Sequence, residues 1–224
     1  AYLQMLTGSA LKTGKRIISF SCLFYSSLEK AVRFRNVNKI YRILIKYYRN
    51  EIFESYDFIV FPINIGDQHW CVVVLDMWNQ KIFYYDPLHT GATNLSVISN
   101  IVVFLTMSST ARGRLAKFDC KKFVTDFAVC SESHFPLQTD GASCGVFILL
   151  YVSNKIGLIS TSRTKKTNDA VRTIIGYELL KNCIVCDEMK ENFERSCQVM
   201  SLFRQEDGRN ATLHCMTVGV KPEN

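Results

Sequence analysis

This chain of 224 residues is as informative in what it lacks as in what it holds. No run of about 18 apolar residues occurs, so no transmembrane helix is expected. The chain opens on Ala1 with no initiator methionine, and nothing there reads as a charged-then-apolar signal peptide. No internal repeat or low-complexity segment is present. Cys183-x-x-Cys186 has no second Cys-x-x-Cys near it, and Cys197, His214 and Cys215 are irregularly spaced. Zinc needs four ligands in a tetrahedron, so neither a metal nor a cofactor is expected. The nine cysteines are odd in number and scattered, which argues for a reducing compartment rather than a disulfide framework. In that compartment the glycosylation patterns at Asn94 and Asn210 carry no weight. Histidine is scarce too: His69, His89, His134 and His214 are all there are.

What is there fits one domain, or one domain plus a tail, with enough chain for a substantial core. The net charge of +7 collects in Lys12–Arg16, Arg33–Arg49 and Arg163–Lys166. None of these has the aromatic interleaving of a single-strand binder, so no nucleic-acid partner is expected. A solvated basic surface or an acidic protein partner remains, with a monomer as the expected state.

Residues 1–6 read as the second half of an amphipathic helix, and 7–16 as a loop. Ile17–Tyr25 is an apolar segment before a short helix. Lys30–Arg35 and Val37–Asn50 are helical in pattern, with Ile40, Ile43, Leu44 and Tyr47 on one stripe. Tyr56–Ile65, 70–76 and 81–86 read as strands rich in β-branched and aromatic residues. A helix over Leu95–Met107, a loop over 108–117 and a strand over Val124–Cys130 follow. A further helix over Asp169–Leu180 is capped by Asn168. This order predicts an α+β fold.

The stretch Gln138 to Tyr151 changes character halfway. Gln138–Ser143 is polar, with Asp140-Gly141 as a turn signal; Gly145–Val152 is apolar. A loop entering a buried helix fits, with Cys144 at the helix N-terminus. Unpaired N–H groups and the positive end of the dipole there favour a thiolate, and could also stabilise an oxyanion. A thiolate nucleophile needs a base, and the base an orienter. His69 follows the Gly66-Asp67 turn at the start of one strand. Asp86 closes the next strand, just before Pro87. Antiparallel pairing of 70–76 with 81–86 would set Asp86 beside His69.

His69-Trp70, Tyr85-Asp86 and Gln138…Gly141…Cys144-Gly145 together resemble the signature of the ubiquitin-like-protein proteases, the SUMO (sentrin) protease family. The order His, Asp, Cys matches, as does a Gln six residues before the Cys. The resemblance covers residues 1–182; 183–224 would be a C-terminal extension of unknown role, with a helical stretch over 188–203. It implies a papain-like fold with a central mixed or antiparallel sheet flanked by helices. Cys144 would be the nucleophile, His69 the base, Asp86 the orienter and Gln138 an oxyanion donor. Trp70 would form one wall of the tunnel that grips the modifier's Gly-Gly tail. The other wall would come from a Trp-Leu-Asn-Asp-like motif upstream, so the chain is expected to be truncated at its N-terminus.

Two departures stand out against this family. Many members have Ser where Pro87 stands, and an acidic residue where Ser143 stands. The implied function is cleavage of SUMO conjugates or precursors in the nucleus or cytoplasm. The alternatives are a catalytically impaired modifier-binding module and a protease for a different ubiquitin-like modifier.

Overall fold

The computed structural model describes residues 2–48, 55–88, 94–111, 128–131, 135–160, 168–181 and Ile184. Ala1–Val185 form one compact unit, and Cys186–Asn224 a second that lies outside the described residues. Cys183, the helical stretch expected over 188–203, and His89, His134 and His214 also fall outside them.

In chain order the unit is built from α1 (Tyr2–Lys12), β1 (Ile17–Ser19), α2 (Cys22–Arg33), α3 (Val37–Tyr48), β2 (Phe58–Ile65), β3 (His69–Asp76), β4 (Lys81–Tyr85), α4 (Leu95–Ala111), β5 (Ala128–Ser131), α5 (Cys144–Lys155) and α6 (Asn168–Lys181). The strands form one mixed sheet in the order β1-β2-β3-β4-β5. β2–β3 and β3–β4 pair antiparallel, while the outer pairs β1–β2 and β4–β5 are parallel. The α+β expectation holds.

Val, Ile and aromatic side chains alternate across this sheet, and each face feeds its own core. Cys71, Val73 and Leu75 of β3 join Ile59, Phe61 and Ile63 of β2 under α2, α3 and α4. Val72 and Val74 face the other way, with Val60, Phe83 and Tyr85, toward α1, α5 and α6. The first core is tied by edge-on aromatics: Phe24 meets Phe104 at 4.7 Å and Phe20 at 4.3 Å between ring centroids. Each such pair adds about 0.5–1.5 kcal/mol beyond its area. With both faces covered, β3 is apolar between its ends, and His69 at its start and Asp76 at its end are the polar exceptions.

The expected loop over 7–16 is a correction. Residues 7–12 continue α1, although Gly8 costs about 1 kcal/mol against alanine in a helix interior. Ala10 is fully buried, and packing of α1 on β1, α5 and α6 outweighs the weak local propensity. The helix stops at a Schellman turn: Gly14, at φ 79°, lets the Lys15 N–H reach the Ala10 carbonyl. Two smaller corrections follow. Ile17–Tyr25 splits into β1 and the start of α2, because Ser21 caps the helix by accepting the Leu23 N–H. Residues 108–111, expected as loop, extend α4. Among the described residues no helix is long and apolar enough to cross a membrane.

Candidate active site

The β2–β3 turn sets one half of the site. Gly66 and Asp67 both have positive φ, 60° and 58°, and the Gln68 N–H bonds to the Ile65 carbonyl. These are the marks of a tight hairpin turn whose twist matches its strands, so β3 begins at His69, directly opposite Ile65. Across β3 and β4, Val72 pairs with Tyr85. One residue further, Asp86 comes opposite Cys71, diagonal to His69 on the same face. The register therefore brings the two together: His69 Nε2 and Asp86 Oδ1 are 2.7 Å apart.

Asp86 is itself held. Its Oδ1 also accepts the Leu88 N–H, an Asx-type turn that skips Pro87, which has no N–H to give. Pro87 in place of serine thus leaves the carboxylate anchored. Its carbonyl accepts the Gln138 N–H at 2.9 Å, and the Tyr85 hydroxyl donates to the Pro136 carbonyl at 2.7 Å. These two bonds stitch the end of β4 to the loop that leads to Cys144. Burial, with the Asp86 charge added, pushes the Tyr85 hydroxyl well above its usual range, so it remains a donor.

The other half is the mouth of α5. Cys144 is buried at the first helical position, and α5 packs against β3. At its far end α5 closes on Gly157 (φ 76°), and the Lys15 ammonium donates to the Ile156 carbonyl at 2.6 Å. Ahead of Cys144 the loop is ordered by Asp140. Its Oδ1 accepts the Ala142 and Ser143 N–H groups, both at 2.8 Å, and its Oδ2 accepts the Ser143 hydroxyl at 2.6 Å. The Asn168 amide donates to the same oxygen. With the Ser143 hydroxyl the largest cause and the Ala142 N–H next, the carboxyl is lowered to about 2. From α6, Arg172 Nη2 reaches the Ala142 carbonyl at 3.0 Å and Ser143 Oγ at 3.2 Å.

Gln138 is buried in this loop. Its Nε2 donates to the Asp140 carbonyl at 2.6 Å, which fixes the amide, since a carbonyl can only accept. Gln138 Oε1 is left buried and without a partner. Such a group costs about 1–3 kcal/mol and calls for a reason.

A cavity of about 700 Å³ runs along Cys144, Gly145 and Trp70, past Gln68, to Tyr2 and Ser21. Trp70 lies against the Cys144 helix, its Cδ1 3.8 Å from where a Cβ on Gly145 would stand. Cys71, on β3 between His69 and the core, is a second thiol close by. Burial, with the Asp86 and Cys144 charges adding to it, pushes it up to about 12, so it stays protonated. Among the described residues no group of three His, Cys, Asp or Glu side chains could hold a metal ion.

The five residues singled out from sequence thus fall in two groups. His69 is bonded to Asp86, and Cys144 shares a cavity with Trp70; Gln138 lies in the loop that links them. Sequence reasoning missed the roles of Asp140 and Arg172. Asp140 carried only a turn signal, and Arg172 sits on an exposed helix face where nothing local marks it.

Comparison with known proteins gives the family and the fold. The Ulp1 protease family, C-terminal catalytic domain, matches residues 1–177. A sentrin-specific protease of Caenorhabditis elegans is 28% identical over 151 residues; the match takes in 65% of this chain but only 19% of that relative's length. Among solved structures, a SUMO protease Ulp1 with its catalytic cysteine oxidised to a sulfonic acid has a TM-score of 0.59 at 17% identity, covering 81% of this chain and 76% of that one. The C-terminal Ulp1 protease domain in complex with Smt3, the yeast ortholog of SUMO, has a TM-score of 0.56 at 18% identity, covering 80% and 75%. At these identities the solved structures speak for the fold, and the family match carries the assignment: the chain belongs to the Ulp1 protease family.

Proposed function

We propose that the chain is a cysteine isopeptidase that cleaves after the C-terminal glycine of a SUMO-type modifier. The observation that carries this reading is the 2.7 Å His69–Asp86 pair, held by the register of the β3–β4 hairpin and stitched through Pro87 to the loop entering the Cys144 helix. In the mechanism, the Cys144 thiolate attacks the glycine carbonyl carbon, forming a C–S bond and an oxyanion. His69 uses Nε2 for Asp86, so Nδ1 is the nitrogen left for the thiol. Its imidazolium protonates the leaving lysine amine as the C–N bond breaks. Water, deprotonated by His69, then hydrolyses the thioester and frees the thiol.

The Cys144 N–H and the second N–H of the Gln138 amide are the oxyanion donors. Trp70 lines the channel for the Gly-Gly tail. The catalytic unit is read as residues 1–182, working in the nucleus or cytoplasm. The solved Ulp1 domain in complex with Smt3 supports the choice of modifier.

The test is mass spectrometry of a SUMO precursor and of a SUMO–lysine isopeptide conjugate after incubation with the protein, with matching ubiquitin substrates beside them. New ends after Gly-Gly on the SUMO substrates, absent with Cys144→Ala, are the expected outcome. Cleavage of the ubiquitin substrates alone would reassign the modifier. Intact substrates together with stable SUMO binding would leave a binding module.

A further inference from the structure

Two helices of this chain begin with the same dipeptide, and they begin differently. Ser21-Cys22 opens α2 in the ordinary way: Ser21 is extended (φ −64°, ψ 143°) and its hydroxyl accepts the Leu23 N–H. Ser143-Cys144 opens α5 with Ser143 at φ −100°, ψ 3°, and its hydroxyl makes no capping bond. That hydroxyl is buried and bonded away from its own helix. It donates to Asp140 Oδ2 and accepts from Arg172 Nη2. Asp140 Oδ1 grips the backbone on the same side through the Ala142 and Ser143 N–H groups.

The ψ of the N-cap residue orients the next peptide plane, so Ser143 decides where the Cys144 N–H points. A free serine at an N-cap relaxes to the extended form and caps its helix. At Ser143 that means a change of ψ from 3° toward the 143° of Ser21, and a rotation of the Cys144 N–H with it.

We propose that Asp140 and Arg172 are positioning residues: by holding the Ser143 hydroxyl away from its own helix, they aim the Cys144 N–H at the oxyanion. This rests on the reading of Cys144 as nucleophile, and it explains how the loop works without an acidic residue at 143. The carboxylate comes from Asp140 instead, three residues earlier.

The test compares two kinds of reaction at Cys144. Hydrolysis of a SUMO C-terminal fluorogenic amide and acyl transfer from p-nitrophenyl acetate both form an oxyanion. Alkylation by iodoacetamide, followed at Cys144 by peptide mapping, does not. Asp140→Ala is expected to slow both acyl transfers on the order of 100-fold, the size of losing one oxyanion donor. KM should move by less than about twofold, and alkylation should stay within about twofold, since one displaced N–H leaves substrate binding and the remaining N–H groups of the helix mouth that favour the thiolate in place.

Asp140→Asn, which keeps the backbone acceptor and can donate to Ser143 Oγ, is expected to stay within about threefold of wild type. Ser143→Ala, with no hydroxyl to cap the helix, should do likewise. The double variant Asp140→Ala/Ser143→Ala should recover at least about threefold over Asp140→Ala alone, because the competing cap is gone. Arg172→Gln, on an exposed helix face and so safe for folding, should slow acyl transfer without changing alkylation. The proposal is overturned if Asp140→Ala transfers acyl groups at the wild-type rate, if the double variant is no faster than Asp140→Ala, or if alkylation falls in step with acyl transfer. A wild type that works on the ester but not on the SUMO amide sinks the substrate assignment alone, and the ester then decides the positioning role.

Discussion

Ser21-Cys22 and Ser143-Cys144 are the same two residues in the same position, each at the start of a helix of twelve residues. The first is an ordinary N-cap with an exposed thiol behind it. Both cysteines line the same cavity, but the second thiol is buried, and its serine is drawn off by groups three residues upstream and 29 residues downstream. The lesson is that a cysteine's setting is not written in the dipeptide. It comes from what the rest of the fold lets the helix mouth do with its unpaired N–H groups.

That contrast can be broken most sharply at the thiols. Cys144→Ala is expected to lower acyl transfer at least about 10³-fold, to background, while Cys22→Ala leaves it unchanged; steady-state rates on one substrate decide this. Next comes His69→Ala, which removes the proposed proton carrier. A loss of about 10³-fold in kcat is expected, with KM little changed. The serines come third, and here the readout is stability. Ser21→Ala removes a working cap and should cost about 1 kcal/mol in denaturant unfolding. Ser143→Ala removes no cap, so a helix-capping loss of that kind is absent there.

The smallest effect concerns pH. The Asp140 carboxyl lies at about 2, below its ordinary 3.8. Its bonds are therefore fully present above the unfolded value and are lost as pH falls through the folded one. The stability difference between wild type and Asp140→Ala should stay flat above about pH 5 and shrink between 3.8 and about 2. A difference that drifts between pH 5 and 8 would contradict this.

The hairpin half of the site was legible because its physics is local. Gly66-Asp67 fixes a turn, β-branched residues fix two strands, and antiparallel register then leaves one place for Asp86 relative to His69. Cys144 was legible from the switch between a polar loop and an apolar helix. The Asp140–Ser143–Arg172 cluster was not, because Arg172 reaches the loop only once α6 has docked, and the helical pattern that predicts α6 does not say what its exposed face meets. The loop expected over 7–12 failed for a related reason. Thr7, Gly8 and Ser9 are poor helix formers, and the burial of Leu6 and Ala10 against neighbouring elements overrides them. In both places, contact across the chain decides what local preference cannot.

The most direct test of the central claim, that hairpin and helix mouth form one active site, is covalent capture with residue mapping. SUMO carrying a C-terminal electrophile is mixed with the protein, and the adduct is digested and sequenced by mass spectrometry. The expected result is a single modified peptide containing Cys144 out of nine cysteines, formed at least about 100-fold more slowly with His69→Ala. An adduct on another cysteine, or one formed equally fast without His69, would contradict it.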